Sequence, residues 1–322
     1  MDLLPTPEQL EIATSVAAIV ADRQSADEGV TDALWSAASE QGWFGLGLSE
    51  ASGGVGYGLA EESLVAFELG RACAPGPFVA TMLAAHIASA AGADELAAQF
   101  ISGAERAAWV ELTDDGAKVF DGPGAQFGVI LDPQPMVVAL DMTAATPLES
   151  IDVLVPLHRM NGTPVAVATP DDGDASDRIR WRADVLISAL CAGLAAGTTT
   201  QSVEYAKDRM QFNQPIGSFQ GPKHRCADMA VRAEAALTQT RYAAVAVQSD
   251  RPDAAFHAHA ARAVAGAAAI SNAQINVQNH GGIGFTWEHT AHRYVTRSRI
   301  VGTWMGGRFS ALASLLEQPP AA

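Results

Sequence analysis

The sequence predicts a mainly α protein with a small β domain set in its middle. Three observations carry that expectation. Amphipathic, capped runs fill the amino-terminal third. Short Val- and Ile-rich runs follow from about 105 to 180, and stripes of small residues at helical spacing take over from about 183. Boundaries drawn on this texture give an amino-terminal helical domain over 1–104, a middle β domain over 105–182 and a carboxy-terminal helical bundle over 183–322.

Thr6 is placed to cap PEQLEIATSVAAIVADR, Pro7 suits a first helical turn, and acidic residues lie near the positive end of the dipole. Leu10, Ile12, Val16, Ile19 and Val20 recur at roughly helical spacing. The glycine-rich GWFGLGLSEASGGVGYG breaks the pattern, and LAEESLVAFELGRACAPGPF resumes it until Pro-Gly-Pro. TMLAAHIASA and DELAAQFIS are shorter helical runs. AAWVEL, FGVILD, PMVVALD, IDVLVPL and TPVAVAT, separated by Asp, Pro and Gly, read as five or so strands. Beyond them, Leu186, Leu190, Gly193, Gly197 and Thr200 step by four and three. Met229, Ala233, Leu237, Thr240, Ala244 and Val247 make a second stripe, and residues 253–280 a third helix rich in small side chains. ALASLLEQ closes a fourth helical segment, which predicts a bundle of about four helices.

With 48% hydrophobic and 17% charged residues the chain is globular in composition. A net charge of −16 argues against nucleic acid or an anionic membrane as a main partner, but not against an anionic cofactor held by a local cluster of arginine and backbone amides. The three cysteines, Cys73, Cys191 and Cys226, form no CxxC pair, so neither a disulfide framework nor a zinc site is expected. The start lacks a basic region followed by an apolar core, and the longest apolar stretch, residues 185–197, is too short to span a bilayer. A cytoplasmic protein is the expectation.

Two stretches carry chemistry. DRMQFNQPIGSFQ places a guanidinium, Arg209, an aromatic, Phe212, and an amide, Gln220, around one corner. By itself this is a capped interhelical turn. QNHGGIGF puts Gly-Gly after a helix, where backbone amides can approach phosphate; by itself it is a helix C-cap, and no strand precedes it as a dinucleotide fingerprint requires. The eight histidines form no metal-ligand pattern, and His257 and His259 point to different helix faces. No serine or cysteine has a nucleophile-elbow setting.

Together, GWFGLGLSEASGGVGYG with ELGRACAPGPF, YAKDRMQFNQPIGSFQGPKHRCADM and QNHGGIGFTWEH resemble the acyl-CoA dehydrogenase family, in the family's order and across both helical domains. The resemblance implies an acyl-CoA dehydrogenase-like fold: N-terminal helical domain, truncated middle β-sheet domain and C-terminal four-helix bundle. It implies FAD as cofactor and oxidation of an acyl-CoA thioester to its trans-2-enoyl form, with an electron-transfer flavoprotein as acceptor. It assigns Arg209 to the pyrophosphate of a neighbouring subunit's FAD, Phe212 to packing near it, and Gln220 to a polar contact across the dimer. Gln278 and Gly282 match family positions that touch the same cofactor. Asn213 stands where the family has glycine.

The resemblance also exposes departures. The family's catalytic glutamate occupies one of two places, matched here by Met305 and by Ala183, with Asp184 beside the latter at what reads as a helix's first turn. A thioether or a methyl cannot accept a proton. The sheet region is short, ELTDDGAKVFDGP lacks the Gly-Ser-Asp signature of the flavin-ring loop, and no later Trp-containing strand follows. This pattern resembles the shortened subunit of bacterial α2β2 heterotetrameric, steroid-type acyl-CoA dehydrogenases, whose full-length partner carries the base and the flavin-ring site. Two alternatives stand beside it: a homomeric dehydrogenase with a displaced base such as Asp184, and a non-catalytic scaffold of the same fold.

Overall fold

A computed structural model describes residues 3–24 and 29–317. Residues 1–2, 25–28 and 318–322 lie outside it, including the start of the amino-terminal stretch and Gln318 of the last helical run. The amino-terminal unit comprises α1 (Pro7–Arg23), α2 (Asp32–Glu40), α3 (Leu59–Arg71), α4 (Phe78–Ala90) and α5 (Asp94–Ile101). Thr6 caps α1 reciprocally: its Oγ1 accepts the Gln9 N–H at 3.2 Å while Gln9 Oε1 accepts the Thr6 N–H at 3.0 Å. Val16 and Val20 face the core, whereas Leu10 is exposed.

One seven-stranded sheet follows: β1 (Ala107–Thr113), β2 (Gly116–Phe120), β3 (Phe127–Ile130), β4 (Met136–Ala139), β5 (Thr146–Leu148), β6 (Leu157–Asn161) and β7 (Ala166–Ala168), in the order β5-β6-β2-β1-β3-β4-β7. Only the β1–β3 pairing is parallel. Two expectations differ from this. IDVLVPL is a turn, because Asp152 Oδ1 accepts the Leu154 N–H at 3.0 Å and bends the chain before β6 begins at Leu157. The stretch after AAWVEL, read as a loop, is strand β2, paired with β1 through a turn at Asp114-Asp115, with Ala117 and Val119 buried.

The carboxy-terminal unit holds three long helices, α6 (Gly173–Asp208), α7 (Gln220–Gln248) and α8 (Ala254–His280), with α9 (Ala291–Thr303) and α10 (Gly307–Glu317) packed on them. A two-residue-strand hairpin, β8 (Met210–Gln211) and β9 (Gln214–Pro215), joins α6 to α7. The fourth segment of the bundle is split in two at Trp304–Gly306, where Met305 has φ 53°. By length and composition α6 could cross a membrane, against the expectation drawn from residues 185–197, but 83% of its apolar window is buried inside the protein. It is the core helix on which the amino-terminal unit and the bundle meet.

Small residues let α3 and α6 touch. A Cβ at Gly193 would lie 2.0 Å from the Phe67 carbonyl oxygen, and one at Gly197 2.2 Å from that of Arg71. The wall is backbone and cannot step aside. Gly193→Ala is therefore expected to destabilise the protein at the upper end of the ~1–3 kcal/mol typical of overpacking, read as a lower urea midpoint.

A buried ionic group locks the same contact. Glu62 of α3, 0% exposed, accepts from His86 Nε2 at 2.6 Å, from the Gly47 N–H at 3.2 Å and from the Arg182 guanidinium of α6. Burial opposes ionisation of Glu62, but Arg182 and His86 together outweigh it and hold its pKa at about 2. Burial and the same Arg182 push the His86 pKa down, so a neutral imidazole donates to the Glu62–Arg182 pair.

Candidate active and cofactor site

The residues singled out in the sequence fall at two places. Arg209, Phe212, Gln220, Gln278 and Gly282 gather at one end of the bundle, where α6 and α8 finish and α7 begins. All five are exposed. The Arg209 N–H closes the last turn of α6 on the Tyr205 carbonyl at 2.9 Å, and its own carbonyl accepts the Ile216 N–H at 2.8 Å, which pins both sides of the hairpin. Among the described residues the Arg209 guanidinium has no hydrogen-bond or ion-pair partner. Phe212 and Asn213 form the two-residue hairpin turn with φ of 53° and 63°, the left-handed pair that a tight turn of this hand requires. Asn213 thus keeps the backbone conformation a glycine would adopt. Phe212 holds it at a cost of about 1–3 kcal/mol and is 86% exposed, packed only edge-on against Phe219 at 6.0 Å. Gly281 (φ 63°) ends α8 and turns the chain into Gly281–Phe285.

The second place is the cleft between sheet and bundle. Met305 lines a cavity of about 260 Å³ together with Asp184, His259, Arg262, Arg180 and Ser310. Both positions matched to the family's base therefore lie beside this cavity, although Ala183 itself is fully buried in α6 and only its neighbour Asp184 reaches it. Asp184 is not in a first turn. The helix begins at Gly173, about three turns earlier, capped by Asp172 accepting the Asp174 N–H at 3.0 Å. Its carboxylate is buried and held from both sides: Oδ2 accepts from His259 Nδ1 at 2.8 Å and Oδ1 lies 3.1 Å from Arg262 Nε. The Arg262 guanidinium also donates to the Trp304 carbonyl. Sequence reasoning missed this trio. The signal was present in His259 and Arg262, three apart and on one face of α8.

Beside the cavity Trp109 of β1 stacks on Trp304 at 4.6 Å and 15°, with Phe120 edge-on to Trp304 at 6.3 Å. Arg297 of α9 fastens the same interface. Its Nε donates to Asp152 Oδ2 at 2.7 Å, and its guanidinium donates to the Ala74 carbonyl, also at 2.7 Å. Only about 30 Å³ remains on the far side of the tryptophan pair, room for a water or two.

The helical unit, short central sheet and helical bundle make up the fold, and the family comparison identifies it. The family's amino-terminal domain matches residues 6–106 and its carboxy-terminal domain residues 183–309. The chain belongs to the acyl-CoA dehydrogenase family. It is 32% identical over 306 residues to acyl-CoA dehydrogenase IpdE2 of Mycobacterium tuberculosis, covering 92% of each chain. It is 33% identical over 302 residues to acyl-CoA dehydrogenase FadE34 of the same organism, covering 87% of this chain and 42% of FadE34, so it spans under half of that relative. Among solved structures, a chain of the ChsE4–ChsE5 complex from Mycobacterium tuberculosis superposes with a TM-score of 0.82 at 22% identity over the whole of both chains. A chain of the Tcur3481–Tcur3483 steroid ACAD does so at 0.81, also 22% identical, over 97% of each. These two share the fold.

The solved structures that share the fold include an FAD-dependent dehydrogenase, 19% identical with a TM-score of 0.79, and FAD is the group to test against these residues. The residues fit its two halves unequally. At the bundle end a free guanidinium, an exposed aromatic and a glycine turn suit a diphosphate and the group attached to it. In the cleft, the tryptophan pair stands next to the position of the family's base, beside an open space of about 410 Å³ lined by Trp109, Leu131 and Met305, and among the described residues no arginine lines that space to match the bundle end.

Proposed function

We propose that this chain is the shortened subunit of a hetero-oligomeric, FAD-dependent acyl-CoA dehydrogenase that desaturates a steroid-derived acyl-CoA in the cytoplasm. Arg209, Phe212, Gln220, Gln278 and Gly282 hold the ADP side of a cofactor whose ring and catalytic base belong to a full-length partner in an α2β2 assembly. An electron-transfer flavoprotein is the acceptor. One observation carries this reading: the cleft that would hold the chemistry has Met305 and Ala183 at the base positions, and its nearby carboxylate, Asp184, is hydrogen-bonded to His259 and ion-paired with Arg262. The steroid-derived substrate is supported by the Tcur3481–Tcur3483 steroid ACAD, which shares the fold.

FAD supplies the hydride acceptor when bound. This chain's residues bind and orient it. Arg209 presents a planar fork whose charge is fixed across the working pH range and whose parallel N–H groups match phosphate oxygens. The aromatic Phe212 excludes water from that contact. No residue of this chain's cleft removes the substrate proton.

A displaced base is the rival reading, and anaerobic flavin reduction separates the two. Asp184→Asn in the hetero-oligomer should leave the rate of reduction by acyl-CoA unchanged. Loss of a working base would slow it about 10²–10⁴-fold, and such a loss would establish Asp184 as catalytic.

A further inference from the structure

Three aromatic rings link the segments that carry the cofactor contacts. Tyr205, one turn before Arg209 in α6, packs tilted against His280, the last residue of α8, at 4.3 Å and 30°. His280 packs in turn against His289, in the connection to α9, at 4.2 Å and 40°. The column is held at each level. His280 is 4% exposed and its Nδ1 donates to the Asn276 carbonyl at 2.8 Å, fixing the ring plane. His289 Nδ1 accepts the Ala291 N–H at 3.1 Å, and the His289 carbonyl accepts from His292 Nδ1 at 2.7 Å. Gln201 of α6 runs parallel to the column, accepting from Asn276 Nδ2 at 2.8 Å and donating to Thr290 Oγ1 at 3.1 Å.

We infer that Tyr205, His280 and His289 are positioning residues, which set the spacing between Arg209 on one arm and Gln278 and Gly282 on the other, and so set how tightly the ADP half of FAD is held. This rests on the half-site reading above. The geometry favours it over plain packing because His280 lies between Gln278 and Gly282 in sequence and touches the turn that ends in Arg209. No other ring contact of the described residues joins those two arms.

The column is also sensitive to acid. The titratable groups facing His280 are Tyr205 from α6 and His289 from the connection, with His292 of α9 beyond. Burial pushes the His280 pKa down; burial, then His280 and His292, push that of His289 down. Both rings are therefore held neutral, and their contribution is full above the ordinary histidine value of 6.5 and is lost as pH falls below it. Two imidazolium rings at this separation repel.

The test is FAD release, followed by flavin fluorescence on dilution of the purified complex at pH 7.5 and pH 5.5, for wild type, His280→Ala, His280→Phe and Arg209→Ala. Thermal unfolding is recorded in parallel. His280→Ala should release FAD about tenfold more readily at pH 7.5. His280→Phe, which keeps the stack but cannot titrate, should restore retention and remove the acid sensitivity. The inference is overturned if His280→Ala holds FAD as wild type does, or if His280→Phe, folded, fails to restore retention or remains as acid-sensitive as wild type. Arg209→Ala separates the two claims. If it too leaves FAD in place, the half-site reading fails; if it releases FAD and His280→Ala does not, only the column falls.

Discussion

Replacing Arg209 with alanine is expected to cost the complex most of its hold on FAD, weakening it about 30-fold or more. Truncating one partner of a hydrogen-bonded charge pair that becomes desolvated typically costs about 2–5 kcal/mol, and 2 kcal/mol already corresponds to about 30-fold. Arg209 meets the conditions for an effect that size. Its backbone is fixed by two hydrogen bonds, so little ordering is needed on binding, and its guanidinium has no competing partner among the described residues. Arg209→Lys should recover part of the loss, because an ammonium keeps the charge and loses the two-pronged geometry. Equilibrium dialysis of FAD against the purified complexes measures both. The fold should be unaffected, since the guanidinium has no hydrogen-bond or ion-pair partner among the described residues.

The largest expected effect on stability lies at Glu62. Glu62→Ala strands the partly buried Arg182 guanidinium and removes the acceptor of His86 and of the Gly47 N–H, and breaking a buried ionic group from one side costs about 3–5 kcal/mol, the lower end applying where one partner keeps some solvent. Against a total stability of about 5–15 kcal/mol this is a large share. The loss is expected as a lower urea midpoint. It should also change the acid limb of the stability curve. With the Glu62 pKa held at about 2 against an ordinary 4.5, its contribution is full above pH 4.5 and disappears as pH falls toward 2. The alanine variant should be flatter in that window.

The helical architecture was legible because it is written locally. Thr6 with Pro7 announces α1, Pro-Gly-Pro ends the run that contains α3, and Leu186, Leu190, Gly193 and Gly197 mark the stripe of α6. The sheet was less so. Strand β2 follows a two-aspartate turn and, as GAKVF, opens on glycine and carries a lysine among its few apolar residues, so it did not stand out, and Asp152 turns a Val-rich run away from the sheet by a side-chain hydrogen bond. The start of α6 was hidden for another reason. Its first turns are polar because they lie at the rim, where Arg180 Nε reaches the Leu131 carbonyl at 3.2 Å, so no apolar stripe betrays them. That hidden start is why Asp184 read as a first-turn residue.

The outer half is written in two local stretches, Arg209 with Phe212 and, some seventy residues on, the Gly281-Gly282 turn, and each could be singled out from the sequence. The inner half joins residues far apart in the chain. Asp184 meets His259 and Arg262 across two helices, and Trp109 meets Trp304 across the sheet–bundle interface. Only the fold brings these together. The absence of a carboxylate at Met305 and Ala183 was visible from the start, whereas the pairing of Asp184 with His259 and Arg262 and the stacking of Trp109 on Trp304 were not.

The most direct test of the account is the FAD content of the purified protein, expressed alone and together with a full-length acyl-CoA dehydrogenase subunit encoded beside it. Little or no FAD in the lone chain, and about one FAD per heterodimer in the complex, is the expected result. One FAD per chain in the lone protein would contradict it, and would mean that the chain holds a cofactor of its own.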